Sequence, residues 1–420
     1  MITDILYRCP HCGLTHWLAE NACIHCGTPV RVVSRSEVVV GNERKHISVW
    51  YEIILGLDLP TGPEGVVSEA KNVNLSRETA NGIYEGFSGI RCTRFTRSVS
   101  DTGSLTLTMA ALSFNGIQES FQLPIQDLLS VTIESNTIIL NAREHGMLFF
   151  DFMEESGKKW EDLIRKTLSL HHAPRKILAF YPRISFMENF RKHPGRVRGH
   201  EALKVPVKKS SIHESTLILD LVRFVAKPVI RSMFSVDIKG LDHIPAQGAA
   251  VLMSNHASFL DSIILAAFPK RHIWFMAKNS EYRNPLLTWA LRQAGSFPVR
   301  RYAIDAQAVR NAVRVIQQGH ILGIYPEGER SWDNRLLPLR NGTMRLILAL
   351  GKPVIPVGIS GSYELMPRWT SKIEKSPIRI RIGEPFLPPH IPIPSQTLSH
   401  IQDLEQVIRS HILRLSGEHR

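Results

Sequence analysis

From Val236 onward, short apolar segments alternate with amphipathic ones, and this confines the fold more tightly than any other feature of the chain. Strands are predicted at Ala249–Met253, Ile273–Met276, Ile321–Tyr325 and Pro353–Ile359. Helices are predicted at Asp261–Phe268, Pro285–Ala294, Asp305–Gln318 and Gly342–Leu350. Strands separated by helices can pair in parallel, because the helix supplies the long crossover. The expected architecture is α/β with a mostly parallel sheet. Ligand crevices in such sheets open at the carboxyl ends of strands, so residues just after each strand matter most.

Two polar stretches occupy such positions. Asn255-His256-Ala257-Ser258-Phe259-Leu260-Asp261 follows the first strand and opens a helix. An Asp bonded to one imidazole nitrogen fixes the tautomer and leaves the other nitrogen as a base. No G-x-S-x-G nucleophile elbow accompanies His256 and Asp261. The base would therefore act on a hydroxyl of the substrate. Taken alone, the pair fits a structural role equally well. Tyr325-Pro326-Glu327-Gly328-Glu329-Arg330-Ser331 ends another apolar strand, and Arg300-Arg301 follows the apolar step Ser296–Val299. Arginine forks grip phosphate bidentately, although surface arginines also make plain salt bridges.

Together these stretches resemble the glycerolipid acyltransferases, specifically the 1-acylglycerol-3-phosphate (lysophosphatidic acid) acyltransferases. The family's N-H-x4-D block is matched by Asn255, His256 and Asp261, and its arginine block by Arg301. The F-P-E-G-T-R-S block is matched by Pro326, Glu327, Gly328, Arg330 and Ser331, and the V-P step by Pro356. Lys278 and Arg340-Asn341-Gly342 fit less diagnostically. The resemblance spans about Val236 to Phe386. It implies that His256 is the general base and Asp261 its orienting partner. It also implies that Arg301 and Arg330 hold an acceptor phosphate in a pocket shaped by Glu327 and Gly328. The acyl donor would be acyl-CoA or acyl carrier protein, the acceptor 1-acylglycerol 3-phosphate and the product phosphatidic acid, with no catalytic cofactor. Glycerol 3-phosphate or another lysophospholipid is the alternative acceptor. A lipid-sensing adaptor with an inactive core is the alternative from another class. Tyr325 and Glu329 replace the family's Phe and Thr. Glu329 places a negative charge beside the expected phosphate site, so restoring Thr there is expected to improve phosphate affinity.

The amino-terminal part reads differently. Four of the five cysteines are Cys9, Cys12, Cys23 and Cys26, two C-x2-C pairs each followed by glycine. Four thiolates in two knuckles suit structural, tetrahedral zinc, whereas an open catalytic site would use three protein ligands. Residues 1–33 are read as a zinc ribbon. Residues 34–170 read as a β-rich domain. A hairpin is expected around Asn115-Gly116 and another around Ser135-Asn136. A further strand is expected at His145–Phe152, and a helix at Glu154–Leu170 carries Trp160, Leu163, Ile164, Thr167 and Leu168 on one face. Hairpins closed by one carboxy-terminal helix resemble the pleckstrin-homology/GRAM superfold, with other small β domains as the alternative.

Residues 171–235 form a basic connector and a helix, and 236–420 the acyltransferase domain. Residues 171–209, the connector, hold ten Lys/Arg against Glu188 and Glu201. It is either a solvated linker or a polybasic segment for an anionic membrane surface. In Thr216–Val236 the charges Asp220, Arg223, Lys227 and Arg231 fall in a stripe of ~80°. Such a helix is either buried on most sides or lies in a bilayer interface with the stripe toward water. Pro228 is expected to kink it.

The formal net charge of +13 favours anionic partners. Nucleic acid is not the expected one, because no Lys or Arg lies between Cys9 and Cys26. Clustered cysteines and the lack of a signal-peptide pattern at Met1–Pro10 fit a reducing compartment. No run of 18 apolar residues is present. The expected location is the cytoplasm, peripheral on the membrane's cytoplasmic face.

Overall fold

The computed structural model describes residues 2–60, 62, 65–85, 91–173, 216–283, 285–293, 295–303 and 305–417. These fall into two compact units. One is drawn from 2–32, 38–83 and 93–173, and the other from 33–37, 84–85, 91–92 and 216–417. Most of the basic connector, residues 174–209, lies outside the described residues, as do 210–215.

In the first unit, β1 (Leu18–Ala19) and β2 (Ala22–Cys23) form a short hairpin, anchored by buried Trp17, whose Nε1 donates to the Leu6 carbonyl at 2.7 Å. A three-stranded sheet follows, β3 (Val30–Val32), β4 (Glu37–Val40) and β5 (Glu43–His46), then α1 (Ile47–Gly56). Seven further strands are β6 (Val66–Glu85), β7 (Arg91–Thr108), β8 (Ala111–Gly116), β9 (Ser120–Pro124), β10 (Leu128–Glu134), β11 (Thr137–Ala142) and β12 (Gly146–Phe152). They pair in the order β10-β11-β12-β6-β7-β8-β9. Helix α2 (Gly157–His172) packs on β10 and β11 and buries Trp160, Leu163, Ile164, Thr167 and Leu168, the face that the sequence period marks. Ser135-Asn136 does turn β10 onto β11, with Glu134 opposite Thr137.

Asn115-Gly116 does not form the expected hairpin loop. The chain turns earlier, at Met109-Ala110, so that Leu105 pairs with Phe114 and Gly103 with Gly116. A second turn follows at 117–119. Asp101 dictates it: its carboxylate accepts the backbone N–H groups of Ile117, Gln118 and Glu119 at 3.1, 2.9 and 2.9 Å. A buried carboxylate taking three amides outweighs the local preference of Asn-Gly.

The second unit begins with α3 (Thr216–Met233) and β13 (Val236–Lys239). Its core then runs β14 (Ala250–Ser254), α4 (Leu260–Ala267), β15 (Ile273–Lys278), α5 (Pro285–Gln293), β16 (Ser296–Val299), α6 (Ala306–Gln317), β17 (Ile321–Ile324), α7 (Asn341–Leu350) and β18 (Val354–Ser360). It ends with α8 (Ser362–Leu365), β19 (Ile378–Ile382) and α9 (Leu398–Ser416). The strand order is β13-β19-β18-β14-β17-β15-β16. Only the β18–β19 pair is antiparallel; the other pairs, including β14 with both β17 and β18, are parallel.

Alternate residues of each strand feed opposite cores. Val251 and Met253 of β14 pack with Ala312, Val315 and Ile316 of α6, Ile347 of α7 and Ile408 of α9. Ala250 and Leu252 pack with Ile264 and Leu265 of α4 and Ile230 of α3. The sheet is thus covered on both faces, which is why its strands read as continuous apolar runs. The carboxyl ends of β14, β16 and β17 remain available for loops.

The charged stripe of α3 is mostly open to solvent, with Asp220 and Arg231 exposed and Lys227 half-buried; Arg223 alone turns inward. Arg223 is buried and donates to the carbonyls of Ala267 and Lys270 at 3.5 and 3.2 Å, at the end of α4. Unsatisfied carbonyls at a helix end attract a cation. Apolar residues are exposed as well: Phe224 is 78% exposed and Val225 55%. The helix runs through Pro228 from Thr216 to Met233. No helix among the described residues is long and apolar enough to cross a membrane.

Candidate active site

The loop after β14 is tied down on three sides. Asn255 exchanges two hydrogen bonds with the backbone of Ile359 on β18, both 2.8 Å. The backbone N–H of His256 donates to Glu327 Oε1 at 2.8 Å, and the Ser331 N–H donates to the His256 carbonyl at 2.8 Å. The loop after β14 and the loop after β17 are therefore one rigid assembly. Glu327 braces it: its second oxygen accepts the Leu337 N–H at 2.8 Å, and the side chain is buried. The sequence places Glu327 among the pocket-shaping residues. In the structure both of its oxygens bind backbone amides.

The imidazole of His256 stacks on the Tyr325 ring, centroids 3.8 Å apart and 14° from parallel. Its Nδ1–H donates to Asp261 Oδ2 at 3.0 Å, and the same oxygen accepts the N–H groups of Ala257 and Ser258 at 2.8 Å. The bonding assigns the proton to Nδ1 and leaves the lone pair on Nε2. Burial lowers the imidazole pKa to about 4; Asp261 opposes this, while Arg301 and Arg330 reinforce it. The ring is neutral at pH 7, the form a general base needs. Tyr325 is pinned in turn by the Ser262 hydroxyl, which donates to its oxygen at 3.0 Å. That contact exists only because this chain has Tyr at position 325.

The two neighbouring arginines after β16 separate. Arg300 is bound to Asp305, which accepts its backbone N–H at 2.9 Å and also caps α6 through the N–H groups of Gln307 and Ala308. Arg301 is near enough to His256 to disfavour the imidazolium. Arg330 is mostly buried, and its guanidinium has no hydrogen-bond or ion-pair partner among the described residues. Burial, then Arg368 and Arg301, pulls its pKa down to about 10. Asp261 and Glu281 oppose that shift from further off; a guanidinium with no direct ion pair has the chemistry to receive an anion. Gly328, with φ of 76°, makes the turn that carries Arg330.

Glu329 does not add a free negative charge to this region. Its two oxygens pair separately with Arg340 Nη2 at 2.9 Å and Arg368 Nη1 at 2.6 Å. The expectation that its charge opposes a bound phosphate is corrected accordingly. Arg368 lies 38 residues beyond Arg330 in a segment of no regular pattern, and no sequence signal marks it.

The four amino-terminal cysteines also converge. Their Sγ atoms lie within 4.8 Å of one another, with Cys9–Cys26 at 3.9 Å and Cys12–Cys23 at 3.7 Å. Tetrahedral Zn–S bonds of about 2.3 Å place sulfurs ~3.8 Å apart, so the set fits such an ion. Each knuckle turns at a glycine of positive φ, Gly13 and Gly27, whose N–H bonds the Cys9 or Cys23 carbonyl at 2.8 Å. The cluster is a metal-binding candidate in the first unit.

Residues 235–360, which carry the His–Asp pair and the arginines, match the Acyltransferase family model. This part of the chain matches the Acyltransferase family and is similar to 1-acyl-sn-glycerol-3-phosphate acyltransferases. A chloroplastic 1-acyl-sn-glycerol-3-phosphate acyltransferase of Brassica napus is 28% identical over 203 residues, 45% of this chain and 59% of that protein. The 1-acyl-sn-glycerol-3-phosphate acyltransferase of Bacillus subtilis is 26% identical over 165 residues, 38% of this chain and 78% of that protein. The solved structure of the Thermotoga maritima 1-acyl-sn-glycerophosphate acyltransferase covers 48% of this chain and is covered over 81% of its own. It has 23% identity and a TM-score of 0.41, too slight a likeness to bear on the fold. This chain thus spans less than two thirds of the Brassica napus relative's length.

Proposed function

We propose that the chain transfers a fatty acyl group from acyl-CoA or acyl carrier protein to the hydroxyl of 1-acylglycerol 3-phosphate, making phosphatidic acid. The observation that carries this reading is the neutral, Asp261-oriented His256 beside the unpaired guanidinium of Arg330. His256 Nε2 takes the proton of the acceptor hydroxyl. The oxygen attacks the thioester carbonyl, the C–S bond breaks, and the departing thiolate takes the proton back from the imidazolium. Asp261 stabilises the imidazolium while it lasts. Arg330 and Arg301 hold the acceptor phosphate, and Glu327 and Gly328 set the loop that presents it. Holding both substrates beside one base contributes several kcal/mol through proximity, on the order of 7–11 at best. A panel of acceptors assayed with both donors tests the reading. Lysophosphatidate should be acylated fastest, and acylation of glycerol 3-phosphate alone would replace the acceptor.

The surrounding parts receive supporting roles. Residues 1–33 are a ribbon in which Cys9, Cys12, Cys23 and Cys26 hold structural zinc, which stiffens the knuckles and takes no part in acyl transfer. Residues 34–170 are a pleckstrin-homology-like domain, 171–235 a membrane-directed segment and 236–420 the acyltransferase domain. The protein is peripheral on the cytoplasmic face of an anionic bilayer. The apolar outer face of α3, with Phe224 and Val225, supports this, as do Phe259 and Ile263 at the start of α4, which are 39% and 43% exposed. Phe259 shares a loop with His256, so its insertion would bring a lipid acceptor to the base.

A further inference from the structure

Two arginines converge on Glu329 and on the backbone beside it. Arg340 donates from Nη2 to Glu329 Oε1 at 2.9 Å and from Nε to the Glu327 carbonyl at 3.0 Å. Arg368 donates from Nη1 to Glu329 Oε2 at 2.6 Å and to the Arg330 carbonyl at 3.1 Å. The Arg368 guanidinium also lies over the Trp332 ring, 4.3 Å from its centroid. Two cations thus hold the backbone on either side of Glu329, and one carboxylate neutralises part of their charge. Arg368 is 6% exposed at its side chain, and its Nη1 serves Glu329 and a carbonyl at once. It is placed to fix a loop.

We propose that Glu329, Arg340 and Arg368 form a clamp that positions Arg330 and keeps its guanidinium unpaired for the acceptor's phosphate. Without Glu329, Arg368 would face Arg330 and Arg340 with no intervening anion, and like charges in a buried site repel strongly. With Glu329 absent, Arg330 would turn away or the loop would open. With Arg368 absent, Glu329 would lose one partner and become a competing ligand for Arg330. In both cases the phosphate meets a less ordered site. Glu329, Arg340 and Arg368 are positioning residues that act through Arg330.

This inference rests on the proposed acyl transfer, and the test separates the two. Full-length wild type, Glu329→Gln, Arg368→Ala, Arg368→Lys and Arg330→Ala are assayed with lysophosphatidate and acyl-CoA, each varied. Arg368→Ala and Glu329→Gln should raise the acceptor KM about ten-fold and leave the donor KM within about two-fold. Arg368→Lys, which keeps a donor for Glu329, should recover most of the loss. An unchanged or improved acceptor KM would overturn the clamp, as would equal increases in both KM values. If Arg368→Ala does not fold, Glu329→Gln decides. If wild type does not acylate lysophosphatidate, the acyl-transfer reading fails, and the clamp is judged by thermal unfolding with sn-glycerol 3-phosphate. The ligand should then raise the wild-type midpoint, do nothing for Arg330→Ala and do less for Glu329→Gln and Arg368→Ala. Equal shifts in all variants, or none in wild type, would overturn it.

Discussion

Asp261 meets His256 through one oxygen: Oδ2 lies 3.0 Å from His256 Nδ1 and accepts the Ala257 and Ser258 N–H groups as well. Three donors on one atom leave the carboxylate no freedom to rotate. The imidazole inherits that fixity on one edge, and the Tyr325 ring holds its face. The imidazole is thus aligned by the residues of its own turn and by Tyr325 just after β17.

The pH dependence follows from burial of that imidazole. Its folded-state pKa is lowered to about 4, so the neutral base persists well below the usual histidine range. The kcat/KM profile should rise through about pH 4 and be flat from there to neutrality on its acid side. An acid limb centred near pH 6.5 would show the ring to be solvated in the free enzyme. Linkage gives the stability sign. The unfolded histidine takes its proton below about pH 6.5 and the folded one only near 4, so stability is full above 6.5 and declines as pH falls between them. Denaturant melts of wild type and His256→Ala across that window should converge as pH drops.

The cysteine cluster predicts one zinc per chain by elemental analysis of freshly prepared protein. Cys12→Ser should lower the content and destabilise the first unit, since structural zinc contributes directly to folding. The acyltransferase residues should still react. Protein without any metal would contradict the assignment.

Membrane binding should depend on the outer face of α3. Wild type should sediment with anionic vesicles and be partly released by high salt, because exposed charges are screened beyond about 8–10 Å. Phe224→Glu with Val225→Glu should abolish the salt-resistant part. Sedimentation of that variant equal to wild type would remove α3 from the interface.

The chemistry-bearing loops were more legible than the architecture around them. Asn255-His256…Asp261 and Pro326-Glu327-Gly328 follow the apolar strands β14 and β17, where period and spacing both speak. Strand β6 and the first part of β7 went unread because sequences such as NVNLSRETANG and RFTRSVSDTGS have no sustained apolar alternation, whereas the alternating end of β7, from Ser104, was read. Their pairing depends on neighbours distant in sequence, such as Phe150 opposite Leu75. Strands β13, β16 and β19 are four or five residues long, at or beside the edges of the sheet, too short for period to show. Within the α3 stripe that the period gives, the inward turn of Arg223 was hidden, since it depends on the carbonyls of Ala267 and Lys270. The partners of Glu329 were equally hidden, since Arg368 joins it only through the tertiary fold.

The central claim is that His256 is the base for acyl transfer to a phosphorylated lysolipid. The most direct measurement is turnover of lysophosphatidate and acyl-CoA by purified wild type and His256→Ala, with circular dichroism to show that both are folded. The account predicts product in the wild type and a fall of about 10²–10⁴-fold in kcat for the variant, the usual worth of a positioned general base. Wild-type turnover by folded His256→Ala would contradict it.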